Sequence, residues 1–295
     1  MMAEFSSIDD LQSALHAHHY IADRSLSTAI YLALKLERPL FLEGEAGVGK
    51  TEVGKVVAAL QATDLIRLQC YEGLDIHHAV YEWNYTRQLL SIRLHENQEN
   101  PLTEESLFSE QYLIERPLLQ SLRSPTQTVL LIDEIDRSDV EFEAFLLEIL
   151  SDFQITIPEI GTIRAKQPPI VVITSNRTRE IHPALKRRCI YHWIDYPSFE
   201  KEFTILTTKF PQIEKKLASQ ITAFVQRIRQ ADLYKTPGVA ETLDWAASLL
   251  ALNQHALSPD MIDSTLGVLL KYREDIESLR GERVSQILTQ MEGHA

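Results

Sequence analysis

The sequence predicts an α/β protein: a parallel sheet sandwiched by helices, followed by a small all-α domain. Three observations carry this expectation. Residues 44–51 read Gly-Glu-Ala-Gly-Val-Gly-Lys-Thr, between a short apolar run and a helical pattern. About eighty residues on, the apolar run from Val129 to Ile132 ends in two carboxylates, Asp133 and Glu134. Strand-like and helix-like segments alternate up to Pro197, and strand-like ones vanish after it. Alternation of this kind builds a parallel sheet covered on both faces.

Taken in order, Leu40-Phe41-Leu42 reads as a buried strand leading into the glycine-rich loop. From Lys50 the apolar residues Val53, Val56, Val57 and Leu60 fall at helical spacing. Ile66-Arg67-Leu68 reads as a second strand, residues 76–125 as a less regular insertion, and Val129–Ile132 as a third strand. Phe142, Phe145, Leu146, Ile149, Leu150 and Phe153 form one helical stripe. A hairpin over 154–163 follows, with Pro158 to Gly161 as its turn, and Ile170–Thr174 reads as another buried strand. The first domain therefore spans 1–197. Residues 198–295 read as a lid-like domain of four or five helices. Ser198 caps one, Pro211 opens the next, and Thr236-Pro237 and Ser258-Pro259 each place a capping residue before a first-turn proline.

The chain has 295 residues, 44% of them apolar, with only 10 Gly and 12 Pro, as an ordinary globular protein has. No run of about 18 apolar residues occurs, so no transmembrane segment is expected. The N-terminus is acidic and lacks the cationic start of a secretory signal, and the two cysteines, Cys70 and Cys189, are too few for a disulfide framework. Both points suit a reducing cytoplasm. The net charge is −13. Residues 71–115 hold nine acids against two arginines, Arg87 and Arg93. Acidity of this kind repels phosphate backbones and argues against nucleic acid as the main ligand. Glu96, Glu99, Glu104 and Glu105 on this stretch are candidates for a partner-docking surface. His16, His18 and His19 cluster, but no Cys or acid stands at ligand spacing from them.

The loop at 44–51 fits G-x-x-x-x-G-K-[ST], whose backbone N–H groups wrap a triphosphate. Gly44, Gly47 and Gly49 let the backbone approach phosphate oxygens, and the remaining loop positions Glu45, Ala46 and Val48, with Glu52 in the first helical turn, line the same cradle. The helix from Lys50 aims its positive end at the same place. Lys50 is expected to reach the β- and γ-phosphates and the Thr51 hydroxyl to ligate Mg²⁺. Asp133 is expected to hold Mg²⁺ largely through water, and Glu134 to orient and polarise the attacking water. Phosphoryl transfer asks mainly for positioning and charge stabilisation, so this small set suffices. Asp136 reads as a helix-start carboxylate. Thr174-Ser175-Asn176 ends a strand at the ligand edge of such a sheet, which brings Asn176 near the water or the γ-phosphate.

The set Gly44–Thr51, Leu131 to Ser138, Thr174-Ser175-Asn176 and Ala184-Leu185-Lys186-Arg187-Arg188 resembles an AAA+ ATPase, more narrowly the MoxR family. Tyr81 to Tyr85 and Arg116 to Leu119 resemble its CoxD-like branch. The resemblance covers nearly the whole chain. It implies ATP with Mg²⁺ as cofactors, a P-loop NTPase core with a helical lid, and a homo-oligomeric, commonly hexameric ring. It also implies a chaperone-like role on a protein client, often beside a von Willebrand factor A-domain partner; the maturation of molybdenum–copper carbon monoxide dehydrogenase is one such task. By resemblance Asn176 takes the sensor 1 position, and Arg187 and Arg188 the arginine-finger region that reaches a neighbour's γ-phosphate. The hairpin at 154–163 becomes the pre-sensor 1 insertion, and Tyr20 and Ile21 adenine contacts. One departure stands out: the helix after Pro237 carries no basic residue where many relatives place a sensor 2 arginine.

Two functions of different class follow. One is an ATP-driven remodeller of a protein client. The other is a nucleotide-gated binding scaffold with incidental hydrolysis. A GTPase is disfavoured because no Asn-Lys-x-Asp motif occurs, and a transport ATPase because no Leu-Ser-Gly-Gly signature does.

Overall fold

The computed structural model describes residues 5–95 and 103–292. In chain order the elements are α1 (Ile8–Ala17), α2 (Arg24–Lys35), β1 (Leu40–Gly44), α3 (Lys50–Leu60), β2 (Leu65–Gln69), α4 (Ile76–Ala79), β3 (Tyr81–Trp83), α5 (Tyr85–His95), α6 (Glu104–Leu107), β4 (Leu113–Glu115), α7 (Pro117–Arg123), β5 (Val129–Asp133), α8 (Val140–Asp152), β6 (Gln154–Ile157), β7 (Gly161–Arg164), β8 (Ile170–Ser175), α9 (Pro183–Arg188), β9 (Ile190–Ile194), α10 (Phe199–Lys209), α11 (Lys215–Ile228), α12 (Val239–Ala251), α13 (Pro259–Leu269), α14 (Arg273–Leu279) and α15 (Glu282–Glu292). Contacts divide the described residues into two units. The first holds those of 1–11, 24–43 and 51–193; the second holds 12–23, 44–50 and those of 194–295.

The first unit is built on a five-stranded sheet in the order β2-β5-β8-β1-β9. β2 with β5, β5 with β8, and β8 with β1 are parallel. Every residue of β5 is buried, as a central strand covered on both faces requires. On one face Leu130, Ile132, Val171 and Ile173 pack with Leu118 and Leu119 of α7 and Leu146 and Ile149 of α8. On the other, Gly54 of α3 lets that helix lie against Leu131: a Cβ there would stand 3.1 Å from the leucine methyl. β9, at the edge of the sheet beside β1, is a fifth strand that hydropathy alone does not announce.

Residues 76–125 are more regular than expected. β3 and β4 pair antiparallel, Tyr81↔Glu115 to Trp83↔Leu113. Three-residue strands are too short to show a period, which is why the pattern is silent there. α7 opens with Pro117 at its first turn. Of the acids in 71–115, Glu82 pairs with Arg116, Glu110 and Glu115 with Arg123, and Asp75 with His78. Four of the nine acids thus stand beside a basic side chain, two of them sharing Arg123. Glu96 and Glu99 lie outside the described residues, as do the side chains of Glu104 and Glu105. β6 and β7 form an antiparallel hairpin, with Gly161 at φ +99 after the turn.

The second unit has its core among α10 to α15, where Phe224 and Trp245 rings lie 5.4 Å apart and Trp245 Nε1 donates to Thr265 Oγ1 at 2.9 Å. Among the described residues of 198–295, six helices stand where four or five were expected. Two boundaries also differ. Pro211 does not open a helix; the Ile213 N–H donates to the Phe210 carbonyl at 2.9 Å across a turn with Pro211 at its second position, and α11 begins at Lys215. Likewise Gly238, not Thr236, is the N-cap of α12, because the Glu241 carboxylate reaches back to the Gly238 N–H at 3.0 Å. Ser258-Pro259 caps α13 as expected, Ser258 Oγ accepting from the Met261 N–H at 3.4 Å. Among the described residues no helix is long and apolar enough to cross a membrane.

Candidate functional site

The first unit assembles its polar groups at the C-terminal ends of β5, β8 and β2. Asp133, only 2% exposed, is the last residue of β5. Its Oδ1 accepts from Thr51 Oγ1 at 2.9 Å and from Thr174 Oγ1 at 2.6 Å. Its Oδ2 accepts from Arg67 on β2, Nε at 3.0 Å and Nη2 closer still. Thr51 opens α3 and Thr174 sits near the end of β8, so three elements converge on one carboxylate. A carboxylate beside a hydroxyl is an oxygen donor set that suits a hard divalent cation, so these residues fit Mg²⁺. Thr174 and Arg67 are partners that sequence reasoning did not assign. A lone basic residue in the apolar strand 65–69, in register beside β5, was the available signal for Arg67.

Glu134 follows in the left-handed region, φ 56 and ψ 51, which a non-glycine residue rarely adopts. Its N–H donates to Thr174 Oγ1 at 2.9 Å, which holds the backbone in that conformation. The turn takes the side chain off the sheet, half-exposed, with Arg137 Nη1 at 3.3 Å. Backbone strain held by a specific hydrogen bond is a recurrent mark of functional positions.

Asp136 corrects the expectation of a helix-start carboxylate. It lies in a 3-10 turn at Ile135–Arg137, and α8 is capped instead by Asp139, which accepts from the Phe142 N–H at 2.8 Å. Asp136 accepts from the N–H groups of Asn176 at 3.1 Å and Thr178 at 2.9 Å, and from the Thr178 hydroxyl at 2.7 Å. Burial works to raise its carboxyl, but these hydrogen bonds outweigh it and hold the carboxyl below the usual range. Asp136 thus ties the loop after β5 to the loop after β8 and fixes the backbone of Asn176, which stays half-buried at the strand end. The Cys70 backbone N–H donates to the Asp133 carbonyl, and its thiol is pushed up to about 12 by burial, with Asp133, Asp136 and Glu134 adding to the rise. Burial likewise lifts Cys189 to about 12. Both are inert buried thiols.

Arg187 and Arg188 end α9, and both are exposed. They differ in partners: Arg188 Nη1 donates to the Leu147 carbonyl of α8 at 3.0 Å, within the chain, whereas Arg187 projects into solvent.

In the second unit, the loop 44–50 carries Gly47 at φ +78 and Gly49 at φ +95, conformations that a side chain would strain. Lys50 is 5% exposed, and its ammonium donates to the carbonyls of Gly44 at 2.8 Å and Glu45 at 2.6 Å, so it sits inside the loop. Glu45 and Ala46 are exposed and Val48 is buried, while Thr51 and Glu52, which follow in the chain, are half-buried. Tyr20 and Ile21 are half-buried, and Tyr20 Oη reaches the Gly49 carbonyl at 3.5 Å. The start of α12 lies against the loop: the Ala240 N–H donates to the Gly47 carbonyl at 3.1 Å, and a Cβ on Gly47 would meet Glu241 Oε2 at 2.8 Å. Where a sensor 2 arginine was sought, the side chain beside the loop is therefore an acid. Lys235 is exposed, and its N–H donates to Asp275. The histidines at 16, 18 and 19 are exposed, and among the described residues no group of three His, Cys, Asp or Glu could hold a metal ion.

The family described as "AAA domain (dynein-related subfamily)" matches residues 39–189, just over half of the chain and the whole run from β1 to the end of α9. The chain belongs to that family of AAA+ ATPases. Among solved structures, a point mutant of RuvB from Thermotoga maritima is 19% identical with a TM-score of 0.52, over 89% of this chain and 72% of RuvB. At that identity the likeness shows a shared fold. A second structure, described as the Thermotoga maritima RuvB Holliday junction branch migration motor, is 18% identical with a TM-score of 0.47, over 83% of this chain and 67% of its own. That score carries no further weight. No curated protein matches the chain. Membership in this family of P-loop proteins agrees with the nucleotide chemistry read from 44–51 and 133–134.

Proposed function

We propose that this AAA+ protein binds ATP with Mg²⁺ and hydrolyses it to remodel a protein client, in the manner of the MoxR family. The observation that carries the reading is the Thr51–Asp133–Thr174 cluster, with the strained Glu134 beside it. In this reading Gly44 to Thr51 cradle the phosphates, with Glu52 in the helical turn behind them. Lys50 reaches the β- and γ-phosphates. Thr51 and Asp133 hold Mg²⁺, which neutralises charge developing on the phosphoryl oxygens. Glu134 orients the attacking water, Asn176 senses the γ-phosphate, and Tyr20 and Ile21 face the adenine. Arg187 rather than Arg188 is the finger offered to a neighbouring subunit, because Arg188 is already committed to the Leu147 carbonyl.

Activity in this reading requires a homo-oligomeric ring, hexameric as is common in such ATPases. Residues 1–197 form the nucleotide-binding core, 198–295 a helical lid, and the hairpin at 154–163 faces the pore. The location is cytoplasmic, the partner a von Willebrand factor A-domain protein, and the client a metalloenzyme such as a molybdenum–copper dehydrogenase. The net charge of −13 supports a protein client over nucleic acid. One observation favours the slower, nucleotide-gated scaffold: the Glu241 carboxylate beside the loop, where a cation would aid closure on ATP.

The test separates binding from turnover. Lys50→Ala is expected to abolish ATP binding in equilibrium titration, and Glu134→Gln to bind ATP while turning over roughly 10²-fold or more slowly. Equal loss of affinity in both would refute the division of roles. Specific activity that does not rise with protein concentration would favour the scaffold.

A further inference from the structure

α9 is a short helix on which two arginines depend for their aim, and its last turn is held by residues at the two ends of the segment 38–43, which contains β1. At the entry to β1, Arg38 Nη2 donates to the Arg187 carbonyl at 2.7 Å, and its Nε to the Arg188 carbonyl at 3.1 Å. At the exit, Glu43 accepts Lys186 Nζ on both carboxylate oxygens at 3.0 Å. Glu43 is 2% exposed, directly after the apolar run Leu40 to Leu42, and also accepts from Tyr191 Oη at 2.8 Å. The Lys186 ammonium lies 5.5 Å from the ring centres of both Phe41 and Tyr191. Glu43 is the residue immediately before Gly44, the first of the phosphate loop.

A buried carboxylate is a poor way to stabilise a strand, since desolvation offsets much of the attraction and an apolar residue would serve as well. What a bidentate, ring-flanked ion pair does supply is fixed position. The same strand therefore holds the last turn of α9 and runs directly into the phosphate loop.

We propose that Lys186, Glu43 and Arg38 are positioning residues: they aim Arg187 at the neighbouring subunit and tie that aim to the strand entering this subunit's own phosphate loop. The inference rests on the reading of Arg187 as a finger acting in trans.

The experiment uses the full-length protein. Lys186→Met, with Glu43→Gln as a second variant that keeps an acceptor for Tyr191, is assayed for ATP affinity, KM and kcat, with melting temperature as the folding control. A displacement of a catalytic group by about 1 Å can cost on the order of 10²-fold in rate, so kcat is expected to fall by roughly 10–100-fold while KM and ATP affinity stay within about twofold. Lys186→Arg should recover part of the loss. Adding Glu134→Gln subunits, which carry an intact finger and a dead site, should restore turnover to the Lys186→Met sites. A purely local role at the subunit's own loop would raise KM and give no such rescue. Arg187→Ala mixed with Glu134→Gln is the control. If that mixture regains activity and the Lys186→Met mixture does not, the inference is overturned. If neither regains activity, the trans reading itself fails and the inference falls with it.

Discussion

Glu241 offers the sharpest test of the electrostatics around the phosphate loop. Its Oε2 accepts from the Gly238 N–H at 3.0 Å and would lie 2.8 Å from a Cβ on Gly47. It thus caps α12 and also places a negative charge beside a loop built to receive phosphates. Taking a separation of ~7 Å between the carboxylate and a bound phosphate, an effective dielectric of ~20 gives ~2 kcal/mol of repulsion per unit charge. Screening at physiological salt leaves ~1 kcal/mol. Glu241→Gln keeps the acceptor that caps the helix and removes only the charge. ATP is then expected to bind about fivefold more tightly, by the conversion of ~1.4 kcal/mol per tenfold. The assay is a fluorescent ATP-analogue titration at low and high salt, with melting temperature as control. The advantage should shrink at high salt, because a screened Coulomb interaction does. Unchanged affinity at low salt, in a variant that melts normally, would show that the carboxylate does not sense the phosphates and would refute the reasoning. Glu241→Ala differs in kind: it loses the cap as well and should cost roughly 1 kcal/mol of stability.

Three further outcomes are expected. Arg67→Gln removes the guanidinium that would compete for Asp133 with the proposed metal, so Mn²⁺ binding with ATP, followed by electron paramagnetic resonance, should tighten by roughly threefold or more; weaker Mn²⁺ binding would mean that Arg67 supports the metal instead of competing with it. Arg229 and Glu202, 6% and 0% exposed at the side chain, form a bidentate pair at 2.6 and 2.7 Å that Gln226 and Thr242 complete, so Arg229→Met should destabilise the second unit by about 3–5 kcal/mol in denaturant unfolding. Much of that loss should return in the Glu202→Leu/Arg229→Met double variant. Cys70 and Cys189, with thiols raised to about 12, should resist alkylation at about pH 8 in the folded protein and react fully in denaturant; rapid labelling of the native chain would show that the burial is wrong.

The parallel sheet was legible because apolar runs such as Val129–Ile132 end in acids, and because the glycine loop lies between a strand and a helix. β9 was not, since Ile190 to Ile194 interleaves Tyr191 and His192 with its apolar residues and loses the continuous run of a central strand. β3 and β4 were silent for want of length. Helix starts in the second half were misplaced where a proline is a turn residue, as at Pro211, or precedes a glycine cap, as at Pro237. The residues that hold the site's own side chains in place were the least legible. Arg67, Glu43 and Arg38 take their meaning from partners 66, 143 and 149 or 150 residues away, a distance at which local pattern carries no information.

Asp133, Glu134 and Asp136 lie within four residues and would be one acidic patch on composition alone. Their surroundings separate them. Asp133 is buried with both oxygens engaged by two hydroxyls and a guanidinium, so it cannot swing or act as a mobile base, but its fixed oxygens can hold a fixed cation. Glu134 is turned off the sheet by a left-handed backbone and is half-exposed, with Arg137 near its carboxylate; of the three it has the most freedom to meet a water molecule. Asp136 accepts three hydrogen bonds from 176–178, and these keep it ionised and structural. On the proposed reading, adjacent residues of one charge thus divide into metal holder, water-orienting group and brace. The division is set by which neighbouring strand supplies their partners: β2 and β8 for Asp133, and the loop after β8 for Asp136. Removing the brace with Asp136→Ala is expected to release the backbone of Asn176 and so, on the proposed reading, to blunt turnover, although residue 136 itself does not meet the nucleotide.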